Sequence, residues 1–407
     1  QTDDYEPYPV SAALGDGKVV LTAAKPASED IAMVDITLTL NGVSQMLSLD
    51  FDGTSYTRKH YNTAVWSEAL EILRGNEYTA VTYTGTEDVV LTEDLTLRPG
   101  QYLDLSSASL TVSARLTLEG DANQAANLSV DNGSLIVAKG GVLSTNSQSE
   151  QQNRYYNTNV NAEDGITVRS GGKVEVPQYG YLRLHSEKGG MHLDEGGSIS
   201  SACMLYLDRN PESQVPNVFA GTVTISDTTS HQARVEVNDG LTLEPTARVF
   251  VESTYARFDV YGGMTTQQGA VVESSGRVNI NGRSENYGSF NVNGGSFSYQ
   301  NTGYSTYNMG TITVASSARL VASGTVLVNS GSITGGGVLQ CGEFNDVSSY
   351  DNGIEYVETG LDWNERTPAN YDRYQFVRDP SATVDVIYFI GELSNLNDGS
   401  CDLTITK

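Results

Sequence analysis

The sequence predicts an all-β protein wound as a parallel β-solenoid. A right-handed coil is favoured, with an N-terminal capping helix and small flanking β modules. Three observations lead there. The first is a run of pairs of the form apolar–any–apolar that starts afresh every six to nine residues. Leu95/Leu97, Leu103/Leu105, Leu110/Val112 and Leu116/Leu118 open it, and Ile166/Val168, Val174/Val176, Leu182/Leu184 and Met191/Leu193 continue it. The beat resumes at Val235, Leu241, Val249 and Phe258 and closes at Leu320, Val326, Ile333 and Val338. Side chains alternate along a strand, so each pair sets two apolar groups on one face. The second observation is the punctuation. Gly, Asn, Asp or Ser fills most gaps, as at Asn132-Gly133, Gly171-Gly172 and Asn281-Gly282. The third is strand length: strands this short cannot build a wide sandwich, and they suit a coil of about three strands per turn. The irregular step departs from a strict hexapeptide repeat, which favours the right-handed type.

In chain order, residues 1–9 read as a flexible leader rich in Asp, Glu and Pro. Residues 10–61 form a small β module. Its runs are Lys18 to Ala23, Ile31 to Leu40 and Gln45 to Phe51, with Asn41-Gly42 as a hairpin turn. Residues 62–78 hold the one helix, Ala64 to Arg74, with Trp66, Ala69, Leu70 and Leu73 on one face. Asn62 or Thr63 can cap its start and Gly75 its end. An open solenoid end exposes strand edges and core, and an amphipathic helix laid across it covers both. Residues 79–345 form the coil. Steps of about seven residues give turns of roughly 21 and about a dozen turns, a rod on the order of 60 Å. Asn279/Asn281 and Asn291/Asn293 are positioned to stack as amide ladders. Gly335-Gly336-Gly337 reads as a coil corner. Two inserts, Asn146 to Asp164 and Asp208 to Gly221, break the beat and are expected to project. Residues 346–407 form a C-terminal β cap or module with strand candidates Thr383 to Ile390 and Asp402 to Thr406.

The charge balance narrows the partners. Twenty-four Lys and Arg stand against fifty Asp and Glu, a formal net charge of −26. No basic cluster is visible along the sequence, which argues against a nucleic-acid partner. Repulsion from anionic headgroups argues against a membrane surface. No apolar run approaches the roughly 20 residues of a membrane span, so no membrane insertion is expected. The chain opens at Gln1 without Met, leaving a removed signal peptide or a trimmed chain as alternatives. Of the three cysteines, Cys203 reads as a packing residue. Cys341 and Cys401 can pair, and three free thiols is the equal alternative.

The punctuated rungs from Leu95 to Val338 resemble bacterial surface proteins of the adhesin or passenger type, in architecture only. The resemblance implies an exported, extracellular or cell-surface protein that acts as an adhesin-like scaffold binding a glycan or a host or cell-surface protein. The expectation that it is non-catalytic rests on the sequence showing no acid–base constellation, no metal-ligand spacing and no cofactor motif. Two alternatives stand beside it: a carbohydrate-active enzyme (polysaccharide lyase or glycoside hydrolase) on the same coil, and a structural stalk of a larger cell-wall protein. A hydrolase needs two carboxylates about 5 to 9.5 Å apart. The Asn-Thr-Asp, Asp-Asp and Gly-His-Gly segments of pectinase-type hydrolases do not occur in the coil. The densest polar group is Arg183, His185, His192, Asp194 and Glu195, and the two histidines are expected on adjacent faces of the coil. No cofactor is expected. Calcium is the one ion left open, through Asp50 and Asp52 in Asp50-Phe51-Asp52-Gly53, which lacks the closing Glu of a calcium loop. Tyrosines supply the binding candidates. Tyr155 and Tyr156 lie on the first insert. Tyr287, Tyr299, Tyr304 and Tyr307 fall off the inward beat, whereas Phe290 and Phe297 keep it. An exposed tyrosine offers a flat apolar face with a polar tip, suited to a sugar ring or a protein contact.

Overall fold

The structure is a computed structural model of the chain. It describes residues 10–15, 18–23, 33–40, 43–50, 55–76, 79–121, 124–147, 158–213, 215–227, 233–300, 305–329, 331–346, 376–377 and 386–390. The chain is a parallel β-solenoid, the architecture of β-helix proteins. Each turn passes through three ladders, and every ladder strand pairs in parallel with its counterpart on the next rung. Tyr102–Leu105, Asn127–Val130 and Thr158–Ala162 belong to the first ladder. Leu110–Val112, Leu135–Val137 and Ile166–Val168 belong to the second. Arg115–Leu118, Val142–Thr145 and Lys173–Val176 belong to the third, an 11-stranded sheet. Eleven rungs at about 4.8 Å give a rise of about 50 Å.

The apolar pairs point inward and stack in register. In the second ladder Val112, Val137, Val168, Leu193, Phe219 and Leu243 form one buried column. Each fully buried apolar side chain contributes about 1.5–3 kcal/mol by leaving water, and the column is unbroken from Val112 to Leu243. Rung length is not constant. The rung from Ser144 to Glu175 spans 31 residues, while that from Ser274 to Val292 is much shorter. The excess lies mostly in corners, so the register holds while the sequence spacing drifts; one shift, between Ala322 and Val326, falls inside the strand Arg319–Asn329. Gly335 ends its strand at φ 115, and a Cβ there would lie 2.1 Å from the Val314 carbonyl oxygen. Only glycine fits that corner.

The interior changes character along the rod. Beyond Leu243 that second-ladder column continues as Thr266, Asn286 and Asn308, all buried. Asn286 Nδ2 donates to Asn308 Oδ1 at 2.7 Å, and Asn286 Oδ1 accepts from the Gly288 N–H at 3.0 Å. This is where an internal amide ladder forms. The expected ladders at Asn279/Asn281 and Asn291/Asn293 do not. Register sets Asn279 between Asp259 and Ser298, and Asn291 between Glu273 and Thr313. Packed beside the polar column are Phe290 and Phe297, stacked at 4.6 Å, with Tyr299 5.2 Å from Phe297.

At the N-terminal end, Met33–Leu40, Val43–Asp50 and Ser55–Thr63 are antiparallel. Ser55–Thr63 then pairs in parallel with Thr79–Tyr83 and covers the open edge of the first ladder. Val10–Gly15 and Lys18–Ala23 make a separate antiparallel pair. The helix α1 (Trp66–Gly75) buries Ala69 and Leu73. Thr63 Oγ1 accepts the Val65 N–H at 3.0 Å and donates to Glu68 at 2.6 Å, ordering the helix entry from two residues before its N-cap. Trp66 meets Tyr83 edge-on at 5.8 Å, and its Nε1 donates to the Val90 carbonyl at 3.1 Å. Buried Gln101 donates to the carbonyls of Leu73 (2.8 Å) and Asn76 (2.6 Å), fastening the helix C-terminus to the first rung.

Both inserts are shorter than the sequence suggests. Thr158–Ala162 and Asn217–Phe219 are rung strands whose inward Val160, Asn217 and Phe219 are buried. Polar Asn159 and Asn217 disguise them. Asn217 spans the coil from inside: its Oδ1 accepts the Met191 N–H and its Nδ2 donates to the Asn238 and Gly240 carbonyls, each at 2.9 Å. Cys203 is a buried free thiol; Cys401 lies outside the described residues, so the Cys341 pairing does too. Val386–Ile390 adds to the last first-ladder strand, Val338–Asp346, and Phe376–Val377 pairs antiparallel with it. The candidate strand Asp402 to Thr406 lies outside the described residues.

Candidate functional site

Two of the tyrosines expected at the surface, Tyr287 and Tyr307, lie on successive rungs at the second ladder. In Ser284–Asn286 the outer residues turn inward, so Glu285 faces out. Its register partner on the next rung is Tyr307. Tyr287 follows at the corner, 41% exposed, and its hydroxyl donates to Glu285 Oε2 at 3.2 Å. Desolvation, with the Glu285 charge beside it, holds the Tyr287 phenol above its ordinary range. Arg283 donates to the other Glu285 oxygen at 2.9 Å and lies 5.9 Å from the centre of the Tyr307 ring. Exposed Met309 takes the position of Tyr287 one rung on: the Tyr287 N–H bonds Thr266 O and the Met309 N–H bonds Asn286 O. The result is a two-rung surface of aromatic and thioether faces, with a guanidinium and a carboxylate at its centre. Such a surface can stack on a sugar ring and hydrogen-bond its hydroxyls.

Tyr299 is not part of it. It is 1% exposed and lies in the inward column between Ile280 and Ala322. Phe297 and Tyr299 are themselves an apolar–any–apolar pair, so Tyr299 keeps the beat it was expected to break. Tyr155, Tyr156 and Tyr304 lie outside the described residues, as does Asp52; Asp50 ends the strand Val43–Asp50.

The polar group around the histidines is divided between two ladders. Arg183 and His185 lie on Tyr181–Ser186 of the first, and His192 on Met191–Leu193 of the second. Asp194 and Glu195 are exposed at the turn that follows. Arg183 pairs with Asp208, and His185 Nε2 lies 2.9 Å from Glu187. Hydrogen bonds from Asn210 and then His185 hold the Glu187 carboxyl below its ordinary range. His192 stacks in register between Thr167 and Val218. These five residues do not line one cleft. Among the described residues no three His, Cys, Asp or Glu side chains converge as a metal-binding group.

The fold also assembles a feature that linear inspection misses. Arg234, Arg257 and Arg277 occupy one outward column on consecutive rungs of the first ladder; Ser296 and then Arg319 extend it. Arg234 bonds Glu236 at 2.6 Å and also reaches Asp259. Arg257 lies 3.3 Å from the same Asp259, which is 1% exposed and accepts from Asn279 as well. No two of these arginines are close in sequence. Their signal is phase: each directly precedes a pair of inward residues, as in Arg257-Phe258-Asp259-Val260 and Arg277-Val278-Asn279-Ile280.

No protein-family model, curated protein or solved structure matches the chain.

Proposed function

We propose that this protein is an exported, non-catalytic surface scaffold of the adhesin-like kind, and that it binds glycan through Tyr287 and Tyr307. The observation that carries the proposal is the exposed Tyr287 ring held by Glu285, the register partner of Tyr307, with Arg283 bonded to the same carboxylate and lying against the Tyr307 ring. Fixing the two rings on successive rungs lowers the entropy lost on binding. The acidic balance of the chain suits a soluble, self-repelling surface. A glycan array compares wild type with Tyr287→Ala/Tyr307→Ala. Wild type is expected to bind a subset of glycans, and the variant is expected to lose that binding at an unchanged melting temperature. Equal binding by both proteins would remove the assignment. Export is checked separately by fractionating cells that express the full-length protein. A polysaccharide panel assayed for new reducing ends and for unsaturated uronate absorbance is expected to show no turnover.

A further inference from the structure

We propose that the arginine column of the first ladder is a second binding site, for an anionic glycan laid along the rod. This site is on a different ladder from Tyr287 and Tyr307 and does not depend on the reading above. From Arg234 to Val321 the outward positions of the first ladder carry four arginines against two carboxylates, Glu236 and Asp259. That is a locally positive face on a chain of net charge −26. Stacked guanidinium groups a rung apart repel one another. Buried Asp259 offsets the first contact by holding Arg234 and Arg257 together. Further along, no such relief exists. Arg277 and Arg319 are exposed, with Asn279 and Ser296 as neighbours, and among the described residues neither has an acidic partner.

The geometry defines the ligand. Parallel pairing spaces the rungs at about 4.8 Å, so Arg257 and Arg277 are about one rung apart and Arg277 and Arg319 about two. A polymer whose negative charges recur at that spacing meets several guanidinium groups at once. Each can take a carboxylate or a sulfate through paired N–H donors. The flanks favour sugar over other polyanions. Tyr255, 53% exposed, stands at the corner two residues before Arg257, and Tyr261, 37% exposed, closes the same rung. Arg234 holds the Tyr261 hydroxyl at 3.2 Å. Asn279 and Asn281 of the next rung add amides between them. Duplex nucleic acid needs a broader basic face than this column supplies.

The test is titration calorimetry on the full chain at low ionic strength, with polygalacturonate, dextran sulfate, neutral dextran and duplex DNA as probes. One or both anionic glycans should bind and dextran should not. Preference between the two identifies carboxylate or sulfate as the recognised group. Arg277→Gln/Arg319→Gln should weaken binding at least ten-fold without moving the melting temperature, since both side chains are exposed. Arg277→Lys/Arg319→Lys, which keeps the charge but not the fork, should fall between. Lys139→Gln/Lys173→Gln removes the same charge from other faces and should bind like wild type. Raising the salt should weaken binding steeply. The proposal is overturned if neither anionic glycan binds, if the Arg277→Gln/Arg319→Gln variant binds as well as wild type, if Lys139→Gln/Lys173→Gln weakens binding equally, or if duplex DNA binds more tightly than both glycans.

Discussion

At the scale of single residues, two buried polar groups have opposite consequences. Asp259 is a fully engaged carboxylate. Two arginines and Asn279 converge on it with almost no water nearby. Asp259→Asn keeps the shape but removes the charge; Arg234 retains Glu236, while Arg257 loses the carboxylate it shares. Losing these charge-assisted contacts costs about 1.5–3 kcal/mol, so the urea midpoint is expected to fall. Tyr299 is the reverse case. Its hydroxyl is buried and has no hydrogen-bond partner. Burial drives its pKa well above the ordinary value of 10.0. Tyr299→Phe removes an unmet polar group and is expected to raise stability by about 1 kcal/mol. The pH dependence has a definite sign. Below the unfolded-state value the phenol is neutral in both states. Above it the unfolded chain gives up the proton and the folded chain does not, so stability falls as pH rises. Wild type should therefore lose more stability between pH 9 and pH 11 than Tyr299→Phe, measured by urea unfolding at each pH.

At the scale of elements, the helix shows what sequence pattern could and could not foresee. Its face is legible because Trp66, Ala69, Leu70 and Leu73 fall at helical spacing. Its attachment is not. Gln101 lies a rung away, and nothing in its neighbours marks it as the group that accepts the Arg98 N–H and donates to two helix-end carbonyls. Gln101→Leu strands those groups. It is expected to cost about 1–3 kcal/mol and to speed amide exchange in Trp66–Gly75 more than in the distant rungs. The ladders show the same division. Apolar pairs announced the strands and their inward faces. The outward columns stayed hidden because rung lengths vary, so the residue stacked above Arg257 cannot be counted off from it. The inward amides Asn286 and Asn308 were hidden for a different reason: a polar residue on the inward face contradicts the pattern that finds the face. Tyr299 departs from the surface expectation because a tyrosine can fill a core position as readily as a surface one.

At the scale of the whole molecule, the rod has two kinds of interior. Rungs from Leu95 to Val251 are packed mainly with aliphatic side chains. Those from Met264 to Asn308 contain Thr266, Ser274 and Thr306, whose hydroxyls are buried without partners, beside the amide ladder. In a solenoid each rung is stabilised chiefly by its neighbours, so local stability follows local packing. Amides of Ser284–Asn286 and Ser305–Asn308 are expected to exchange before those of Leu110–Val112 and Leu135–Val137 in native-state hydrogen exchange. Uniform protection along the rod would contradict this. The unequal rungs have one more consequence. Since corners absorb most surplus residues, and a register shift between Ala322 and Val326 absorbs others within the strand Arg319–Asn329, while pairing fixes the rise, the reach of the protein is counted in whole rungs and not in amino acids. Gaining or losing a rung changes that reach by a fixed step of about 4.8 Å. Lengthening a corner leaves the reach unchanged and alters only what the rod displays at that height. Span and display can therefore vary independently within one chain.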